Sequence, residues 1–178
     1  GRNDSVLFRT TVVLRLDEEF ETPTAAVTVK TEPVESGQFF FDSTEVVFKR
    51  EGLAPVRSYR SLETDIAVFD VEARYDDGQA FVRKQSIDGV EEQTLKFPAN
   101  TFDSEMLLTA FRAIPLAPGT EFRVHSAMPL NLGVRPVDVL VLGTKLITTD
   151  IGNILCREVV LQDRTRQLKV WYEPEQPQ

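Results

Sequence analysis

Recurrence of apolar side chains at every second position most limits what this chain can fold into. From Ser5 to Leu16, Val6, Phe8, Val12, Leu14 and Leu16 share one face, while Arg9, Thr11 and Arg15 lie on the other. That is the period of two of a half-buried strand, not the 3.6 of a helix. Residues 24 to 31 repeat it, with Ala25, Val27 and Val29 set against Thr24, Thr28 and Lys30. Between them, Asp17 to Pro23 reads as an acidic connection closed by a proline. Thr44 to Arg50 and Val56 to Leu62 read as further strands, separated by Gly52 and Pro55.

The clearest organisation lies between Asp65 and Phe97, where three β-like runs are punctuated by Asp76-Asp77-Gly78 and Asp88-Gly89. Asp-Gly supplies the positive φ angles of tight hairpin turns, so the stretch predicts a three-stranded meander. In its first strand Ala67, Phe69, Val71, Ala73 and Tyr75 face one way and Asp70, Glu72 and Arg74 the other, so one face must be covered. Residues 103 to 114 are predicted as the one helix. Asp103 or Ser104 supplies its cap, Glu105 sits near its positive end, and Leu107, Leu108, Phe111 and Ile114 form an apolar stripe ended by Pro115.

Pro118-Gly119 then turns the chain into Thr120 to Ala127, and a linker with Pro129, Gly133 and Pro136 follows. Val137 to Thr148 and Ile154 to Asp163 read as a long hairpin around Asp150-Ile151-Gly152-Asn153. Gln167 to Tyr172 is the last strand, ahead of a polar tail over 174–178. These elements predict a mainly β fold: a curved antiparallel sheet, half-barrel or open barrel, with one helix near 103–114 packed on or in it. At 178 residues, 42% hydrophobic and 27% charged, residues 1–178 fit one globular domain with a sizeable core.

A formal net charge of -8, with cations scattered along the chain, argues against nucleic acid and against an anionic membrane surface as partners. No run of about 18 apolar residues reads as a transmembrane segment. The chain opens on Gly1 rather than Met, as a processed or engineered boundary would, so a removed export signal or anchor is compatible with it.

No catalytic constellation is legible. His125 is the only histidine and alternates onto the polar face with Arg123, which disfavours a histidine triad or a multi-histidine metal site. Cys156, the only cysteine, reads as a core residue, with Arg157 pointing to the opposite face of the strand. The glycines form no phosphate cradle, and Gly133 and Gly143 fit turns. Asp76-Asp77 and Glu91-Glu92 read as solvated surface beside turns rather than as calcium ligands or an acid-base pair. No cofactor, metal or enzymatic activity is therefore expected. Phe39-Phe40-Phe41 is harder to place, because three consecutive aromatics on an extended segment cannot all face one core. Packing under a loop, contact with a partner and lining of a ligand cavity all remain open for it.

The C-terminal two thirds resemble a family of exported bacterial proteins of unknown function with a curved antiparallel sheet. The resemblance rests on the order of Ser104 to Arg112, Ile114-Pro115-Leu116-Ala117-Pro118-Gly119, Val137 to Gly143, Thr149 to Ile154 and Val170-Trp171-Tyr172. It implies a periplasmic or otherwise extracytoplasmic location, and a sheet similar to the lipoprotein-carrier half-barrels that hold acyl chains. It brings no catalytic residues.

Two functions follow as expectations. In the first, the concave face, with Phe8, Val27, Phe69, Val71, Tyr75 and Phe81, holds a lipid or other hydrophobic molecule, and Leu108 and Phe111 of the helix close over it. A dry, fully packed core would count against that. In the second, the same residues are ordinary core, and an exposed apolar patch without a cavity meets another protein of the cell envelope.

Overall fold

The computed structural model describes residues 8–17, 23–34, 40–114, 116–149 and 152–173. Phe39, Pro115, Asp150, Ile151 and the tail from 174 onward, for which expectations were set above, lie outside these residues. The first half is a meander in which each strand pairs with the next: β1 (Phe8–Asp17), β2 (Thr24–Pro33), β3 (Phe40–Lys49), β4 (Pro55–Thr64), β5 (Val68–Asp76), β6 (Gln79–Ser86) and β7 (Gly89–Lys96). The second half holds β8 (Thr101–Asp103), α1 (Leu107–Ala113), β9 (Glu121–Met128), β10 (Gly133–Thr149), β11 (Gly152–Gln162) and β12 (Gln167–Tyr172). Its strands form a second sheet in the order β12-β11-β10-β9-β8, antiparallel except for the parallel β8–β9 pair. The fold is mainly β with one helix, as expected, but its strands divide between two sheets. Among the described residues neither sheet closes into a barrel.

The local signals explain the meander. Asp77 and Gly78 have φ of +39° and +74°, the paired positive angles that a two-residue turn between twisted strands requires. Directly paired residues share a face, so the register Leu14–Val27–Val46–Ser58–Ala73–Val82–Gln93 marks one row across the inner face. Val27, Val46, Ser58, Ala73 and Val82 are buried, whereas Leu14 and Gln93 at the two edges are exposed.

Two clusters fill the interior. In the larger, Val27, Val46 and Phe48 of the first sheet meet Val139 and Val159 of the second, with Phe111 of α1 among them. The Phe111 ring stands edge-on to Phe122, with centroids 6.1 Å apart. In the smaller, Val71, Tyr75, Val82 and Leu95 pack with Ala127, beside Leu130 in a 3-10 turn at Pro129–Asn131.

The structure corrects several expectations. The helix begins at Leu107, not 103, and its N-cap residue Met106 makes no side-chain capping bond. Thr101 to Asp103 are instead drawn into a strand by parallel pairing with His125 to Ala127. The linker after Ala127 is largely strand, because β10 starts at Gly133 and carries Pro136 opposite His125. Gly143 is not in a turn: it lies at a bulge inside β10, where the pairing shifts between Val141 and Gly143. Val141 and Thr144 consequently face the same way, and Leu142 is the extra residue.

Candidate functional site

The inner face carries a polar network on an otherwise apolar surface. Arg60 alternates with Ser58 and Leu62 on β4, so strand geometry points it inward. Its Nε and Nη2 donate to Asp42 Oδ1 and Oδ2 at 2.9 and 2.6 Å, and its Nη1 donates to Glu105 Oε1 at 2.9 Å. Asp103, buried at the end of β8, accepts the Tyr75 hydroxyl at 2.5 Å and the Glu105 backbone N–H at 2.9 Å. The network ties β3, β4 and β5 to the turn that leads into α1.

Burial raises the Asp103 carboxyl pKa, against the pull of the Tyr75 and Ser58 hydroxyls, the Glu105 amide and the Arg60 charge. Glu105 is likewise pushed up by burial, with Arg60 opposing. Burial and the neighbouring Asp103 hold the Tyr75 phenol well above its ordinary value. Burial alone would lower Arg60, but the hydrogen bonds to Asp42 and the charge of Glu105 keep it raised. Beside this network a cleft of about 310 Å³ is lined by Thr44, Ser58, Arg60, Asp103 and Glu105, with Arg166 also among its walls. Its polar groups are largely committed to one another, which suits a structural clamp better than a reacting centre.

The residues expected to line a ligand do not share one cavity. Val27 and Phe111 are in the larger core cluster, and Val71 and Tyr75 in the smaller. Phe69 is half-buried on the inner face, with Lys84 Nζ 4.9 Å from its ring centroid. Phe8 is exposed and stacks edge-on with Phe40 at 5.0 Å. Leu108 is the exposed member of the helix stripe. Phe81 is a correction: it pairs with Arg74 and Thr94, one position out of phase with Ala80 and Val82, so it faces away from the core. Of the phenylalanine triplet, Phe40 is half-buried and Phe41 exposed on the opposite face.

What remains uncovered on the inner face is its rim. On β1, Val12, Leu14 and Leu16 are 54%, 59% and 66% exposed although they face the same way as the buried Val27. Beyond the bulge, the β10–β11 hairpin carries the pair Leu146–Leu155 on that side, also exposed. Next to it on β11, Arg157 faces inward between Val159 and Leu155, opposite Tyr172. The Arg157 Nε is buried and has no hydrogen-bond partner. The Tyr172 hydroxyl donates to the Leu108 carbonyl at 2.9 Å, and burial pushes its pKa up to about 12 while the charge of nearby Arg112 works against the rise.

The residues most open to a catalytic reading are scattered. His125 pairs with Pro136 and Cys156 with Lys145. Those β10 positions are nine residues apart, roughly 30 Å along a strand at about 3.3 Å per residue. Cys156 is buried, as expected, but belongs to neither core cluster: it lies on the face of Glu158, whose carboxylate meets Lys145 and Lys169, while Arg157 takes the core side with Val159. His125 is half-buried rather than a surface residue, and its Nδ1 has no partner. No group of metal-binding side chains occurs among the described residues, nor does any helix there have the length and apolarity to cross a membrane.

Sequence reasoning missed Asp42, Arg60, Asp103 and Glu105 as a set, and Arg157 as a cation whose buried Nε lacks an acceptor. The usable signal was a charged residue alternating onto an apolar face, at Arg60 beside Leu62 and at Arg157 beside Leu155 and Val159.

A model of the family described as protein of unknown function DUF3108 matches residues 8–178. No curated protein matches the chain. A crystal structure of a DUF1089 family protein from Pseudomonas aeruginosa is similar over 93% of this chain and 84% of that one, at 11% identity and a TM-score of 0.49.

Proposed function

Since the chain belongs to the DUF3108 family, whose description assigns no function, we propose on physical grounds that it is a non-catalytic binding module for a lipid or other hydrophobic molecule. The ligand lies along the uncovered rim of the inner face rather than in the packed centre. The observation that carries this reading is the row Val12, Leu14 and Leu16, more than half exposed on the face that is buried on the neighbouring strand. Covering apolar surface is favourable by about 25 cal/mol per Å², so such a row is a ready contact for an acyl chain. The resemblance to exported half-barrel proteins supports an extracytoplasmic setting.

Native mass spectrometry of freshly purified protein, followed by organic extraction, tests this reading. A reproducible bound amphiphile that is lost in Leu14→Glu/Leu16→Glu supports it. Clean apo protein that takes up no added decanol or other amphiphile overturns it.

A second reading, a structural or protein-interaction domain of the envelope, is favoured by the position of β1. It is the terminal strand of its sheet, paired with β2 alone among the described strands, and an open edge can accept a partner strand. In the same spectra this reading predicts a protein complex in place of a bound small molecule.

A further inference from the structure

We propose that Arg157, assisted by Arg112, is the anchor for an anionic headgroup, so that the molecule taken along the β10–β11 part of the rim is an acyl-chain amphiphile headed by a carboxylate or phosphate. This rests on the hydrophobic-ligand reading and adds the class of ligand. The carrying observation is the Arg157 guanidinium. It lies on an apolar face, between the fully buried Val159 and the exposed Leu155, with Leu146 diagonally beside it. Its Nε is buried without an acceptor. Leaving a buried charged donor unsatisfied is costly, and native structures rarely keep one without a use.

The surroundings match such a ligand at both ends. Arg112 is one helical turn beyond Leu108, on the same side of α1, and its charge reaches the Tyr172 hydroxyl. Tyr172 is the cross-strand partner of Arg157. The charges of Arg157 and Arg112 therefore converge on one tyrosine in a protein of formal net charge -8. The carboxylate adjacent to Arg157 in sequence, Glu158, points to the opposite face and is held by Lys145 and Lys169 at 3.8 and 3.5 Å. A guanidinium presents N–H groups in a planar fork that fits two oxygens of a carboxylate or phosphate. The exposed Leu146 and Leu155 lie beside it on the hairpin as the contact for the first methylenes, and the exposed Leu108 is joined to Tyr172 through its carbonyl.

Displacement of the neutral reporter N-phenyl-1-naphthylamine tests this, with decanoate, decyl phosphate, decanol and decyltrimethylammonium as competitors. On the wild-type protein, decanoate and decyl phosphate displace the reporter at concentrations about tenfold or more below those needed for the neutral and cationic chains, the size expected of a charge-assisted bond. Arg157→Gln, alone or with Arg112→Gln, brings all four to parity while the reporter still binds. Arg157→Lys retains part of the preference. Equal displacement by all four chains on the wild type, or an undiminished preference in Arg157→Gln, overturns the anchor while leaving a hydrophobic site in place. Displacement by inorganic phosphate as effective as that by decyl phosphate overturns the amphiphile. Failure of reporter and all four chains to bind removes the hydrophobic-ligand reading itself.

Discussion

The Tyr75 hydroxyl donates to Asp103 Oδ2 across 2.5 Å of buried interior, joining the middle of the meander to the short parallel strand of the other sheet. Tyr75 belongs by its ring to the smaller core cluster, where it lies 5.9 Å from Phe97 between centroids. One residue thus supplies apolar packing to one sheet and a donor to the other. That division of roles explains why a tyrosine stands where alternation alone would accept any large apolar side chain.

Tyr75→Phe keeps the ring and removes the donor. The buried carboxyl then loses one partner while Ser58 and the Glu105 amide remain, and the expected loss is about 1–3 kcal/mol in urea unfolding. Adding Asp103→Asn should give a double mutant less destabilised than the sum of the single changes, because one interaction is removed twice. Strict additivity would show that the 2.5 Å contact contributes no coupling.

The same burial sets a pH dependence. Asp103 and Glu105 have folded-state pKa values above their ordinary 3.8 and 4.5, since burial disfavours their charged forms. Between the unfolded and the folded values the native state holds more protons than the unfolded chain. Their stabilisation is therefore complete below the ordinary values and is lost as pH rises through the folded ones. Asp138 and Asp163 are shifted the other way, Asp163 to about 2, so their contribution is lost only as pH falls through its lower range. Thermal melts from about pH 4.5 to pH 8 should show stability declining with rising pH. Asp103→Asn should flatten that decline, and an unchanged slope would remove Asp103 as its source.

Strand identity was legible because alternation and Asp-Gly turns are local, and β5 to β7 follow them closely. What failed depended on distant partners. Asp103 carries every mark of a helix cap, yet its strand is fixed by pairing with residues 125–127, which no local pattern announces. Phe81 looks like a core residue on hydrophobicity alone, but its phase relative to Ala80 and Val82 places it outside. Arg60 and Arg157 were readable as charges on apolar faces. Their opposite fates, one locked by two carboxylates and one with its Nε left without an acceptor, depend on which strands lie opposite. The division into two sheets was not legible for the same reason, since no local signal distinguishes adjacent strands from facing ones.

Gly143 links fold to site most directly. Its φ of +148° is a conformation that side-chain-bearing residues rarely adopt, and a Cβ built there meets nothing within 4 Å. The cost of Gly143→Ala is therefore one of backbone conformation, about 1–3 kcal/mol. The bulge also sets which face the outer hairpin presents, since the extra residue brings Thr144 and Leu146 to the side of Val141, opposite Arg157 and Leu155. Relaxing it by regularising the strand turns those side chains over, because a one-residue shift exchanges the two faces. Gly143→Ala should thus lower urea stability and also weaken the preference for decanoate over decyltrimethylammonium in reporter displacement. Leu142→Thr, which keeps the glycine and changes only an exposed side chain, should leave both near wild type. If Gly143→Ala loses stability but keeps the full headgroup preference, the hairpin holds Arg157 independently of the bulge, and its phasing is not what builds the rim.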